Sequence, residues 1–332
     1  MFRTGSESCL IRFLTAERPG ASASGFFRVF PYCCFKRYFC HVKNGLPMKL
    51  ITSNEQLLSL LPNTVTTVKG EALLFDKMAP FLSATEKWLE DNFTSEEVLS
   101  AIADLEASHT TRMLACQIAA YDAFHRAIPH LDVILTANGF GIVSNSNIAP
   151  ASKERVERLM ASLLEHRDRL LMQLQPLLTA FKGWTESAQG RFFSATMFPN
   201  MDVTLRFPKP SGSRWEKFLA LRSAVIPVEE FFARQYLSKE QLEVFRSEVL
   251  TGQYRSTRHQ SICRILQAVE VRCLSNSDPT ASMHFEHDAL FDIVNTIRDN
   301  PEEFPEWHSS ATAELYAPAV FENKKESLGY WF

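Results

Sequence analysis

Glu86-Lys-Trp-Leu-Glu-Asp-Asn-Phe93-Thr-Ser95-Glu-Glu97-Val-Leu99 is answered, 143 residues later, by Glu229-Glu-Phe-Phe-Ala-Arg-Gln-Tyr236-Leu-Ser238-Lys-Glu240-Gln-Leu242. The offset sets Glu86 on Glu229, Trp88 on Phe231, Phe93 on Tyr236, Ser95 on Ser238, Glu97 on Glu240 and Leu99 on Leu242. At an offset of 146, Thr111, Arg112 and Arg126 fall on Thr257, Arg258 and Arg272. A three-residue slip is one loop insertion, which surface loops tolerate cheaply. The echo spans about 75–126 and 218–272 and reads as one helical module used twice, an arrangement suited to a scaffold.

Outward from this stretch, the periodicity is helical. Thr52 with Glu55, Thr94 with Glu97 and Ser238 with Gln241 have the spacing of a capping box, in which two side chains satisfy first-turn amides reciprocally. Helices are predicted over 75–93, 94–107, 110–128 (ended by Pro129), 152–174, 215–236, 238–250, 255–274 and 284–298. The longest carries a broad apolar stripe through Val156, Leu159, Met160, Leu163, Leu164, Leu170, Leu171 and Leu174. Two apolar runs around Asn138-Gly139 predict a hairpin near 133–144. Alternation through Met201, Val203, Leu205 and Phe207 predicts a strand within 190–208. The fold class expected is mainly α: two related helical-bundle modules, 48–184 and 185–332, with short β insertions and an irregular aromatic tail.

Residues 1–47 do not match the rest. They hold four of the seven cysteines, seven of the 26 phenylalanines and five more basic than acidic residues, so the net charge of −3 becomes −8 from Met48 onward. Their scattered Phe and Cys give neither the amphipathic face of a transit peptide nor the apolar core of a signal peptide. They read as an unstructured or mis-started leader, with the folded protein opening at Met48. No apolar run approaches the ~20 residues of a membrane-spanning helix. Cys116, Cys263 and Cys273 form no CxxC pair and suit a reducing compartment.

Chemistry-bearing motifs are sparse. Asn138-Gly-Phe-Gly lacks the context of a phosphate loop. His284-Phe-Glu-His287 has two imidazoles but no recognisable third ligand. Cys116 and Cys263 sit among aliphatic residues, where a thiol is core rather than nucleophile. The expectation is no enzymatic activity, no cofactor and no metal. Two candidate interaction groups remain: the basic cluster Arg255, Arg258, His259 and Arg264, and the terminal Tyr330, Trp331 and Phe332, aromatics that want something to bury against. The acidic body opposes a broad phosphate-binding footprint.

Leu135-Thr-Ala-Asn-Gly-Phe-Gly-Ile-Val-Ser-Asn-Ser-Asn-Ile-Ala-Pro-Ala-Ser-Lys-Glu-Arg-Val-Glu-Arg-Leu159, with the ending Phe321-Glu-Asn-Lys-Lys-Glu-Ser-Leu-Gly-Tyr-Trp-Phe332, resembles a family of uncharacterised proteins from gut Bacteroidetes and their prophages. Within it the opening Leu50-Ile-Thr-Ser-Asn-Glu-Gln-Leu-Leu looks like the start of the helical head-to-tail connector (adaptor) proteins that ring the portal of tailed phages. The resemblance implies a structural protein of a phage or prophage neck, forming a homo-oligomeric ring, touching portal or tail proteins and passing DNA without gripping it. It implies residence in the virion or the bacterial cytoplasm. Adaptors are usually a single unit, so a duplicated one is a departure. The alternative is a DNA-associated regulatory or packaging accessory protein using the Arg255–Arg264 region.

Overall fold

The computed structural model describes residues 48–61, 72–131, 134–136, 139–141, 151–276 and 286–317. The chain parts into two contact units, 1–44 and 45–332, and every described residue belongs to the second. The expected leader therefore lies outside the described residues, as does the aromatic tail.

The described chain is mainly α-helical. Its first half runs α1 (Asn54–Leu60), α2 (Leu74–Leu89), a π-helical turn (Glu90–Thr94), α3 (Glu96–Ala103), α4 (Thr110–Leu131), a hairpin of β1 (Ile134–Thr136) and β2 (Gly139–Gly141), α5 (Lys153–Leu178) and α6 (Ala188–Ser194). The second half runs a 3₁₀ turn (Met201–Arg206), α7 (Arg214–Phe232), a π-helical turn (Ala233–Leu237), α8 (Lys239–Thr251), α9 (Thr257–Ser275), α10 (His287–Arg298), α11 (Pro305–His308) and α12 (Ala311–Glu314).

The echo read in the sequence is an echo of structure. In both halves a long helix passes through a π turn, which accommodates one extra residue, into a serine at positive φ that caps the next helix. Ser95 (φ 73) and Ser238 (φ 65) are the only non-glycine residues with positive φ among the described residues. Their hydroxyls accept from the amides of Val98 and Gln241. A buried glutamate sits one turn before each π turn and accepts backbone amides from a non-helical segment. Glu86 takes Lys49 at 2.8 Å and Leu50 at 2.9 Å; Glu229 takes Met197 at 2.8 Å. The carbonyl of that segment is occupied too, Leu50 by the Cys116 thiol from α4 and Met197 by the Gln267 amide from α9. The repeat thus starts at each of these non-helical segments, near 49 and near 197, and embraces more chain than the sequence match.

Apolar spacing explains the packing. Met78, Leu82 and Leu89 on α2, Val98, Leu99 and Ile102 on α3, and Leu114, Ile118 and their small neighbours Ala115, Ala119 and Ala123 on α4 are all buried. Alanines along α4 let α2 and α5 approach it closely, and both pack on it. Each fully buried Leu, Met or Phe contributes about 1.5–3 kcal/mol over an exposed one. One core joins residues 50–184 to Phe193, Trp215, Phe218, Leu221 and Val225; the other joins Met197 and Val228 to Trp307. The two cores meet along α7, which gives Val225 to the first and Val228 to the second, and they interleave in the chain: Leu250 of α8 belongs to the first and Met197 to the second. One helix shared by two cores ties the modules together.

Several local expectations are corrected. Residues 190–208 form no strand: α6 and the 3₁₀ turn occupy them. Met201 and Val203 are buried, but Leu205 is 60% exposed, so the alternation fails after two residues. The Thr204 hydroxyl instead bonds the Met201 carbonyl at 2.7 Å and tightens the turn. Ser53 and Ser95, rather than Thr52 and Thr94, are the caps; Thr94 lies in the π turn with its hydroxyl on the Leu89 carbonyl. Pro129 lies within the last turn of α4 and does not end it. The hairpin pairs Thr136 with Gly139, which puts Gly139 in a strand rather than at the turn.

Candidate functional site

The basic cluster opens α9, and the fold uses most of it internally. Ser256 caps the helix, accepting from the His259 amide. Arg255 meets Glu306 at 2.7 Å, and its amide donates to Glu248. Arg258 meets Glu303, whose carboxylate also accepts from the Ser256 hydroxyl at 2.6 Å. The Ser256 bond first, then the charge of Arg258, holds the Glu303 carboxyl below its ordinary range. Burial would raise Glu306, but Arg255 outweighs it and the carboxyl also ends low.

His259 is wholly buried. Nδ1 lies 2.9 Å from the Glu248 carboxylate and Nε2 lies 3.1 Å from the Glu303 carbonyl, while the ring stacks on Phe304 at 4.5 Å. The imidazole therefore bolts α8, α9 and the 303–304 segment together. Arg264 stands exposed on α9, a turn and a half further on. Tyr330, Trp331 and Phe332 lie outside the described residues.

Most of the other buried charges are also engaged. Arg167 meets Asp122 and Asp168 at 2.6 Å each and Ser213 at 2.9 Å, and its guanidinium lies over Trp88. Asp122 accepts further from Thr85 and Arg126. Burial alone would raise Asp122, but Arg167 and Arg126 hold it below the ordinary carboxylate range. In the second core Arg246 meets Glu229 at 2.5 Å. Glu270 stands beside that pair, fully buried, with no hydrogen-bond partner on either oxygen. Burial, then the charge of Glu229, pushes its carboxyl well above the ordinary value.

Burial raises the Cys116 and Cys263 thiols and lifts Cys273 to about 11, the opposite of what activates a nucleophile. His287 Nδ1 is 2.8 Å from the Tyr236 hydroxyl. Among the described residues no group of three or more His, Cys, Asp or Glu is placed to hold a metal ion, and no helix is long and apolar enough to cross a membrane.

The described residues include two clefts. One, of about 310 Å³, lies between α9 and α10 and is lined chiefly by Ile262, Ile265, Ala289 and Ile293. The other, of about 260 Å³, lies between α5, the 198–206 segment and the end of α8. Arg258 of the basic cluster lines the first, but neither cleft leaves a local pattern in the sequence, because each joins residues far apart in the chain. Arg258 and Glu303, 45 positions apart, were equally hidden.

Residues 62–194 match the model of a family of unknown function (DUF6712). The match ends at Ser194, the last residue of α6 and of the first repeat. No curated protein and no solved structure matches the chain. The likeness therefore covers most of one of the two repeats.

Proposed function

We propose that this chain is a structural assembly protein of a phage or prophage neck, a head-to-tail connector built from two copies of one helical unit and closing into a homo-oligomeric ring. The observation that carries the reading is the tandem repetition itself. Repeated helical units present similar surfaces at intervals, which serves holding neighbours rather than transforming a substrate. Two further features support it. The ionisable groups within the fold are mostly spent on bonds between its own helices, as with Arg167, Arg246 and His259. Apolar side chains such as Ile265 and Ile226 are 44% and 40% exposed on α9 and α7, surfaces that subunit contacts bury well. Closed rings arise from heterologous contacts whose rotation closes, and the tail Tyr330–Phe332 is the arm assigned to a neighbour. The chain acts without enzymatic chemistry, in the virion or the cytoplasm of a bacterial host.

The second reading is a DNA-associated accessory protein. It rests on Arg255, Arg258 and Arg264, and it stands behind the first because Glu306 and Glu303 already take up the first two arginines. Imaging the full chain in negative stain, alone and with the portal protein of the same phage, tests the first reading. Rings, or added density on the portal, are expected. A lone particle that ignores the portal contradicts it. DNA binding that survives moderate salt and weakens with Arg264→Ala would favour the second.

A further inference from the structure

Two exposed helix faces of this chain match each other in spacing and in charge. On α7 the outward positions are Glu216, Leu219, Ser223, Ile226 and Glu230, an apolar strip with an acid at each end. Neither carboxylate has an ion-pair partner among the described residues; Arg234, one turn beyond, is turned to the Glu230 main-chain carbonyl at 3.3 Å. On α5 the outward positions are Arg155, Leu159, Ser162, His166 and Arg169, again all exposed. Here the excess charge is positive. Glu165, on the flank of this face, is already shared by Arg169 at 3.2 Å, Lys209 at 3.0 Å and Arg214 at 3.3 Å.

The gaps along the α7 face are three, four, three and four residues; along α5 they are four, three, four and three. Both are seams of the kind that pairs helices, and they coincide at all five positions only when the helices run in opposite directions. Arg155 then meets Glu230, Leu159 meets Ile226, and Arg169 meets Glu216. Fourteen positions separate the two charged pairs, about 21 Å of helix. Ser162 lies opposite Ser223 at the centre, where small side chains let the axes come close.

Within one subunit these helices already face each other by their inner sides. The Asp168 carboxylate accepts the Arg214 amide at 2.6 Å, and Arg167 donates to the Ser213 hydroxyl at 2.9 Å. The outer faces therefore cannot meet in one chain, and a second copy must supply the partner. Two different surfaces in contact make a heterologous interface, the kind from which rings are built.

We infer that the outer face of α5 in one subunit docks antiparallel on the outer face of α7 in the next, Arg155 on Glu230 and Arg169 on Glu216. The inference rests on the assembly reading and names its subunit interface.

The test is light scattering of the full chain after size exclusion at low salt, with two charge-reversed variants, R155E/R169E and E216R/E230R. All four side chains are exposed, so both variants should melt near the parent temperature. The parent associates. Each variant alone associates more than about tenfold more weakly, because two attractive pairs become repulsive. An equal mixture of the two variants regains association, since each reversed α5 face then finds a reversed α7 face and each native face a native one. A misfolded variant could not give that rescue. Association unchanged in both variants, or lost and not regained on mixing, overturns this interface and leaves the assembly reading standing. A parent that stays monomeric at every concentration overturns both, and duplex DNA held by that monomer through Arg155 and Arg169 would assign the α5 face to nucleic acid instead.

Discussion

Trp184 and Trp307 make the same bond in the two halves of the molecule. Each indole Nε1 donates at 2.7 Å to the carbonyl of the aromatic residue at the fourth position of a π turn, Phe93 in one half and Tyr236 in the other. Each tryptophan carbonyl in turn accepts at 2.6 Å from a serine three residues on, Ser187 or Ser310, and that serine caps a short helix. The π turn frees a carbonyl from the helical ladder, and the indole satisfies it. Trp184→Phe and Trp307→Phe should each cost about 1–3 kcal/mol, the price of a buried acceptor left unpaired. Urea unfolding of the two variants checks it, and a loss at only one site would deny their equivalence.

Ser95 and Ser238 hold φ near 70° with ψ near 160°, a region that belongs almost wholly to glycine and costs other residues about 1–3 kcal/mol. The serines stay because their hydroxyls cap α3 and α8. Alanine loses the cap and keeps the strain, so Ser95→Ala and Ser238→Ala should each destabilise by about 1 kcal/mol. Glycine removes the strain and gives up only a few tenths of the capping energy. Ser→Gly at either site should therefore match or exceed the parent, a reversal of the usual penalty for glycine beside a helix. Chemical denaturation midpoints decide between these.

Arg167 lies between Asp122 and Asp168 at 7% side-chain exposure. Removing the cation leaves two buried carboxylates facing each other, and Arg167→Met should cost about 3–5 kcal/mol. Asp122, held low by Arg167, binds its proton less tightly folded than unfolded. Its contribution to stability is present above its ordinary value of 3.8 and is lost as pH falls below it. Arg167→Met should weaken that dependence, leaving Arg126 as the cation beside Asp122, as denaturation curves between neutral and acid pH will report.

Glu270 has the opposite sign. It faces Glu229 of α7 and Arg246 of α8, with Cys263 and Cys273 on its own helix. Its folded carboxyl binds a proton more tightly than the unfolded one. The stability it lends is full below the ordinary value of 4.5 and drains away as pH rises above it toward its raised folded value. Glu270→Gln cannot ionise, so its stability should fall less than the parent's from weakly acid to neutral pH. Parallel decline of the two would show that Glu270 is not the group responsible.

Much of this architecture was legible in the chain. Glu86 and Glu229, Phe93 and Tyr236, Ser95 and Ser238 stand at a fixed offset, and the structure gives each pair one job. The Trp184 and Trp307 match escaped notice because its offset is 123 rather than 143: α5 has 26 residues and α10 has 12. Periodicity cannot distinguish Thr94 from Ser95 as a cap, since the π turn shifts the helix end by one residue. The alternation at 201–207 imitates a strand, but no neighbouring strand supplies the ladder bonds. Of the site, the sequence shows the cations Arg255 and Arg258 and not Glu303 and Glu306, which arrive from a segment that reads as irregular tail.

Under the proposed function, two copies of one helical unit serve to hold neighbouring subunits. Sedimentation velocity of the full chain over a wide concentration range tests it most directly. A discrete closed oligomer is expected, forming from smaller species as concentration rises and staying at one size. A single monomeric species at every concentration would contradict it.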